Sequence, residues 1–304
     1  MGSDRGPAEM VAGAALAVRE ADVRVTLIGN EHEIRPAMEK EGISHIVDLV
    51  PTTQVVTMHD SPIEAIRKKI DSSIVVAFGL LKRGEVDAVV SPGNSGAVMA
   101  AAIKFLGRLK DISRPGIAGV FPTLKGPVVV MDVGANVDCR PKHLLQFGIM
   151  ASAFSRVVFG VENPRVGLLS IGEEGGKGNA LVKSTHGLLA ASVLNYIGNV
   201  EGRDTFQGDV DVIVCDGFVG NVCLKLSEGL AEAILTMLRD EISKTMKAKL
   251  GYYLAKDAFM NFKKRVDYAE YGGAPLLGLN GTGVICHGRS NRLAIKNAIR
   301  VADE

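Results

Sequence analysis

The sequence predicts an α/β protein built on a mainly parallel sheet, and three observations carry that expectation. Short β-rich runs alternate with helical runs along most of the 304 residues. The loops between them are punctuated by Gly and Asn. The composition, 47% apolar and 23% charged, is that of an ordinary soluble globular protein long enough to bury a large core without staples.

Residues 23–29 (VRVTLIG) read as the first strand. Residues 61–81 read as one helix: Ile63, Ile66, Ile70, Val75 and Leu80 fall near helical spacing, and Ser61 and Pro62 supply an N-cap followed by Pro. Residues 87–91 (DAVVS) form a buried-type strand, and 94–106 the helix after it. The same pairing recurs in 128–133 (VVVMDV) with 141–159, and in 165–172 (RVGLLSIG) with 179–189. It recurs again in 211–215 (DVIVC), with a helix starting near Asn221. This alternation implies right-handed βαβ units. Each βα loop is then expected at the carboxyl edge of one sheet, where open α/β proteins bind ligands. No internal repeat and no Pro/Ser/Gly linker divides the chain, so 1–304 is read as one catalytic unit.

Residues 231–271 break the rhythm. Ile234, Leu238, Ile242, Met246, Leu250 and Leu254 recur every four residues. Lys244, Lys247, Lys249 and Lys256 lie opposite, with Lys263, Lys264 and Arg265 beyond. This is a basic amphipathic helix or helix pair, suited to packing on a core or partner, or to an acidic or anionic surface.

Charge excludes some functions. Lys+Arg is 35 and Asp+Glu 34, so the net charge of +1 gives no whole-chain attraction for nucleic acid. Aromatic residues are 5% with no Trp, which argues against base-stacking platforms. Cys139, Cys215, Cys223 and Cys286 lack zinc spacing and read as small apolar residues of a reducing compartment. The apolar stretch 10–18 follows Asp4 and Glu9 and makes a poor signal peptide, and no window suits a bilayer span. The expected location is cytoplasmic.

Four loops share a pattern. Gly93-Asn94-Ser95-Gly96 follows DAVVS, and Asp132 to Asp138, with Asn136, follows VVVM. Glu173 to Asn179, with Lys177 and Gly178, follows GLLSIG. Asp216-Gly217-Phe218-Val219-Gly220-Asn221 follows DVIVC. Each sets Gly beside Asn at a helix start, where free N–H groups favour an anion. Four on one edge would form a phosphate-sized site. No P-loop, G-x-G-x-x-G or G-x-S-x-G occurs. Asp132, Asp138 and Asp216 suit either a divalent metal or, the reading adopted, caps and loop-fixing bonds. His143 and His287 are acid/base or structural candidates.

These loops, in this order, resemble the PlsX family, the phosphate acyltransferases of bacterial phospholipid synthesis. The likeness runs through Asp60-Ser61-Pro62, Arg114-Pro115, Asp132-Val133-Gly134-Ala135-Asn136-Val137-Asp138, Pro141-Lys142-His143-Leu144, Gly172-Glu173-Glu174, Lys177-Gly178-Asn179, Gly198 to Asp204 and Tyr271-Gly272-Gly273-Ala274. The opening Met1-Gly2-Ser3-Asp4 is similar to the family's M-G-G-D, with Ser3 in place of Gly. The family has a short apolar strand ahead of that opening; without it an unpaired sheet edge is expected.

The resemblance implies a three-layer α/β/α sandwich like those of isopropylmalate dehydrogenases and phosphotransacetylases, usually dimeric. It implies transfer of a fatty acyl group from acyl carrier protein to inorganic phosphate. The acyl phosphate would pass to a glycerol-3-phosphate acyltransferase, with peripheral contact at the inner membrane face. The nearest alternative is a phosphate acetyl- or butyryltransferase using acyl-coenzyme A; a metal- and nicotinamide-dependent β-decarboxylating dehydrogenase is more distant. No cofactor and no metal is called for. Phosphate is expected among the helix starts near Asn94, Asn179 and Asn221. Lys177 and Asn221 would face its oxygens or the carbonyl oxygen, and His143 would assist.

Overall fold

The computed structural model describes residues 1–266 and 268–304, with side chains described outside 266–269. The chain opens with α1 (Gly6–Glu20), β1 (Thr26–Gly29), α2 (Glu31–Glu41) and β2 (Asp48–Pro51). β1 and β2 pair in parallel as a separate two-stranded sheet. Next come α3 (Pro62–Lys68), α4 (Ser73–Arg83), β3 (Ala88–Ser91) and α5 (Ser95–Leu106). The single helix expected over 61–81 is therefore two. The backbone leaves the helix at Lys69 and re-enters after Ser72. Side chains hold that break open. Asp71 accepts from both the amide and the hydroxyl of Thr53, and the Ser72 hydroxyl donates to the Lys69 carbonyl at 2.8 Å. Short polar side chains compete in this way with the helical ladder.

β4 (Gly116–Pro122) and β5 (Pro127–Met131) form a hairpin. After it come α6 (Pro141–Phe159), β6 (Arg165–Leu169), α7 (Ala180–Ala190), β7 (Asn195–Val200), β8 (Val212–Val214) and α8 (Gly217–Ser243). The chain closes with α9 (Met246–Leu254), α10 (Lys256–Val266), β9 (Ala274–Leu277), β10 (Thr282–Ile285) and α11 (Arg292–Asp303). The excursion expected at 231–271 is the second half of α8 followed by two short helices; Asp267 within it lies outside the described residues.

The eight-stranded sheet has the order β3-β10-β9-β4-β5-β8-β6-β7. β3 and β10 are parallel, and β5, β8, β6 and β7 are parallel to one another. Three antiparallel joints, β10/β9, β9/β4 and β4/β5, stand between the two groups and reverse their sense. One expectation is corrected here. The loop after β3, with Gly93, Asn94, Ser95 and Gly96, leaves the sheet at the edge opposite to the loops after β5, β6 and β8. Helical crossovers were legible in the sequence; the central antiparallel strands were not.

Alternation along β5 and β8 shows why the fold has three layers. Val128, Val130 and Ile213 pack with Phe78, Val98 and Ala101 of α4 and α5 on one face. Val129, Met131, Val212 and Val214 pack with Leu144, Phe147 and Leu189 of α6 and α7 on the other. Side chains on a strand point alternately, so a run of Val with no polar partner must be covered on both sides. Each such fully buried side chain contributes roughly 1.5–3 kcal/mol.

Among the described residues the two sheets are not hydrogen-bonded to each other: β1 pairs only with β2 and β3 only with β10, and residues of both β1 and β3 line a cavity of about 530 Å³. Met1, Val25, Leu27, Val89, Ile74 and Ile295 line it.

Candidate active site

β5, β8 and β6 are adjacent and parallel, so their carboxyl ends place three loops side by side, about 5 Å apart from strand to strand. The loop after β5 is built around Asp132, which is fully buried. Its Oδ1 accepts from the amides of Ile117, Gly134 and Ala135, and its Oδ2 from the amide and side chain of Asn136. Burial pushes the carboxyl's pKa up, and these donors oppose that rise. Asn136 also donates to the Pro115 carbonyl at 2.8 Å. Asp132 and Asn136 therefore turn inward and hold the loop, while Asp138 is exposed at its end.

The loop after β8 is pressed against this one. The Gly217 amide donates to the Asn136 carbonyl at 2.8 Å. A Cβ on Gly217 would lie 2.9 Å from Asp132 Oδ2, and one on Gly220 would lie 1.9 Å from the Asp132 carbonyl oxygen. Only glycine permits that approach. α8 begins at Gly217, four residues before the start expected near Asn221. Its cap is Asp216, whose carboxylate accepts from the amides of Phe218 and Val219, both at 3.0 Å. The dipeptide Asp216-Gly217 was the signal for this start. Asn221 sits exposed in the second turn, and a Cβ at Gly134 would lie 3.5 Å from its Oδ1. The mouth of α8 thus has its donors already occupied, by a carboxylate and by Asn136.

The loop after β6 differs. From Gly175 to Leu181, among the described residues, only the Lys177 amide is bonded to the protein, donating to the Glu174 carbonyl at 2.9 Å. Asn179 caps α7 by accepting from the Val182 amide. Gly178 adopts φ +99°, a left-handed conformation that suits Gly. The Lys177 side chain is exposed, and among the described residues no carboxylate pairs with it. Glu173 is held by Arg203 at 3.5 Å. The Ser170 hydroxyl is buried with no partner among the described residues, and a Cβ on Gly178 would lie 3.1 Å from it. Lys177, Gly178 and Asn179 were legible in the sequence. Ser170 was not, because a Ser after a strand carries no pattern of its own.

The remaining expected residues are engaged elsewhere. Asn94 caps α5 through the Ala97 amide, and its Nδ2 donates to the carbonyls of Thr57, Met58 and Asp60. Gly96 lets Pro62 pack close, and Gly93 faces Ile74. His143 is buried in the first turn of α6, where its Nδ1 accepts from the Arg140 amide at 3.1 Å. Burial first, then Arg114, Arg140 and Lys142, lowers its pKa. These three cations border the loop after β5, and Arg203 borders the loop after β6. Asp138, Asp216 and Glu173 share that edge, and Arg203 is paired with Glu173, Glu201 and Asp204, so the charge of the edge is mixed. The thiol of Cys139 beside it is pushed up to about 11, mainly by burial, and holds no ready thiolate.

A family model described as "Fatty acid synthesis protein" matches residues 1–304. The chain belongs to the PlsX family. Curated relatives named phosphate acyltransferase include those of Geotalea uraniireducens, 56% identical, and Geobacter sulfurreducens, 55% identical. In each case the match covers 100% of this chain and 88% of the relative. The class is accordingly that of an acyltransferase. Among solved structures, a phosphotransacetylase from Streptococcus pyogenes has a TM-score of 0.63 at 16% identity, covering 98% of this chain and 90% of that one. A branched-chain phosphotransacylase from Enterococcus faecalis has a TM-score of 0.59 at 13% identity, covering 99% and 96%. At such identities the likeness establishes the α/β fold.

Proposed function

We propose that this PlsX-family chain moves a fatty acyl group from the thioester of an acyl carrier protein to inorganic phosphate. A phosphate oxygen attacks the thioester carbonyl carbon, the C–S bond breaks, and the proton lost from phosphate ends on the sulfur. The products are acyl phosphate and the free thiol. The observation that carries the reading is the loop after β6. It offers unpaired backbone donors and a Lys177 that, among the described residues, has no carboxylate partner. Phosphate is itself the nucleophile, so no activated Ser or Cys is required. The enzyme must hold a dianion against a carbonyl and stabilise the oxyanion that forms. The thiol leaves with a pKa of about 8.5, so a strong general acid is not essential. In this reading Lys177 and the amides around Gly178 grip phosphate, and Asn221 donates to the same oxygens or the carbonyl oxygen. Asp132, Asn136, Gly217 and Gly220 fix their frame.

The anion grip differs from the one expected at the helix starts near Asn94, Asn179 and Asn221. Among the described residues, only the second of these presents free donors on the edge shared by the loops after β5, β6 and β8. Acidic carrier protein is assigned to the lysines of α8 to α10, and homodimerisation and peripheral membrane contact to the apolar residues of the same helices. A glycerol-3-phosphate acyltransferase would consume the product at the inner face of the membrane.

The phosphotransacetylase-like fold favours one second reading, with acyl-coenzyme A as donor. Incubation with palmitoyl-carrier protein and labelled phosphate, trapping with hydroxylamine, tests the first. Palmitoyl hydroxamate is expected. Hydroxamate formed from acetyl-coenzyme A but not from the carrier protein would transfer the assignment to the second.

A further inference from the structure

We infer that His186, Tyr196 and Asn199 form a hydrogen-bonded relay that positions the Lys177 loop for its anion. The inference rests on the proposed phosphate acyltransfer and names residues that the reaction scheme does not use. None of the three touches the reacting atoms; they are positioning residues.

The relay is continuous. His186 Nδ1 lies 2.8 Å from the Tyr196 hydroxyl, and the hydroxyl donates toward Asn199 Oδ1 at 3.5 Å. Asn199 Nδ2 then donates to the Glu174 carbonyl at 2.9 Å. That same carbonyl receives the Lys177 amide at 2.9 Å. The relay therefore ends on the oxygen that closes the turn carrying Lys177. With the tyrosine hydroxyl donating to Asn199, the relay calls for the His186 tautomer whose Nδ1 donates to the tyrosine oxygen. Burial pushes the Tyr196 phenol up to about 12, so it keeps its proton. The far side of the His186 ring lies against Gly175, where a Cβ would stand 2.8 Å from Nε2. The loop is thus held at Glu174 from β7 and at Gly175 from α7.

An irregularity in β7 makes this possible. Tyr196 faces Val166 and Gly198 faces Gly167, so Ile197 is an extra residue in the ladder. In a regular strand, residues three apart point to opposite faces. The bulge turns Tyr196 and Asn199 toward the same side, and Gly198 absorbs the kink at φ +108°.

The test compares Asn199→Ala, Tyr196→Phe, His186→Ala and His186→Asn with Lys177→Ala and with the double variant Lys177→Ala/Asn199→Ala. Rates are measured with phosphate and thioester varied separately. Phosphate-induced thermal stabilisation is measured alongside. Asn199→Ala should raise KM for phosphate about tenfold and leave the thioester KM within about twofold. It should have no further effect once Lys177 is gone, whereas a general loss of stability would multiply with Lys177→Ala. His186→Asn, which keeps a donor where Nδ1 stood, should recover most of what His186→Ala loses. An Asn199→Ala chain with an unchanged phosphate KM, or with effects that multiply in the double variant, overturns the relay. If no acyl phosphate forms at all, the reaction scheme fails instead. The relay is then judged by thermal stabilisation alone: phosphate should protect the parent, and equal protection of Asn199→Ala overturns it.

Discussion

Lys177 and His143 are both basic residues near the same sheet edge, and their surroundings give them opposite duties. Lys177 is exposed, has no carboxylate partner among the described residues, and sits in a loop where its own amide alone, of those from Gly175 to Leu181, is bonded to the protein. Lys177→Ala should lower turnover by on the order of a hundredfold, measured as hydroxamate formed per enzyme, with little change in melting temperature. His143 is buried with its Nδ1 accepting from the Arg140 amide, a bond that needs the ring unprotonated on that nitrogen. Its pKa is lowered from 6.5. The fold therefore prefers the neutral ring. The stability this gives is fully present above pH 6.5 and is lost as pH falls through the depressed folded value. Urea unfolding at pH 7.5 and 5.5 should show His143→Gln losing less stability on acidification than the parent. His287, also lowered, acts in the same direction in both and does not alter the comparison.

Helices were the most legible elements, and the reasons are local. α6 was read at its true limits because Pro141 opens it and Gly160, at φ +67°, closes it. The 61–81 stretch misled because its break depends on Thr53, which is distant in sequence. The start of α8 was misplaced because Asn221 drew the reading away from Asp216. The packing of this helix on the β5 loop gives a direct prediction. Gly220→Ala would force a Cβ to within 1.9 Å of the Asp132 carbonyl oxygen. It should destabilise by about 3 kcal/mol or more, seen as a shifted denaturation midpoint. Further along, α8 to α10 expose Leu226, Leu230, Met246, Leu250 and Leu254 beside their lysines. Lys263→Glu, Lys264→Glu and Arg265→Glu together should weaken co-sedimentation with acidic carrier protein at low salt and leave turnover of a small thioester unchanged. Retained co-sedimentation would assign docking to another face.

At the scale of the molecule, the sequence announced βαβ units but not the sense in which they are joined. Of the three antiparallel joints, β4/β5 and β9/β10 pair neighbours in sequence, but β9/β4 pairs segments about 160 residues apart, Gly116 with Leu277 for instance, and no local pattern reports that joint. That reversal puts the Asn94 loop at the sheet edge opposite to the loops after β5, β6 and β8. Among the described residues no helix is long and apolar enough to cross a membrane. The unfilled space between β1 and β3 also belongs to this scale. Among the described residues β1 and β3 each have one side of the backbone ladder unpaired, and mostly apolar side chains line the space. Such a space has the dimensions and chemistry of one more strand. Met1 stands beside Gly29 at the carboxyl end of β1, so residues joined ahead of it could lie along β1 in the same direction. An apolar hexapeptide fused there should raise the melting temperature by several degrees, and the same segment with proline at its centre should not. An extended apolar segment seated in this seam would meet Val25, Leu27 and Val89 with its side chains and face the unpaired backbone of both strands at once.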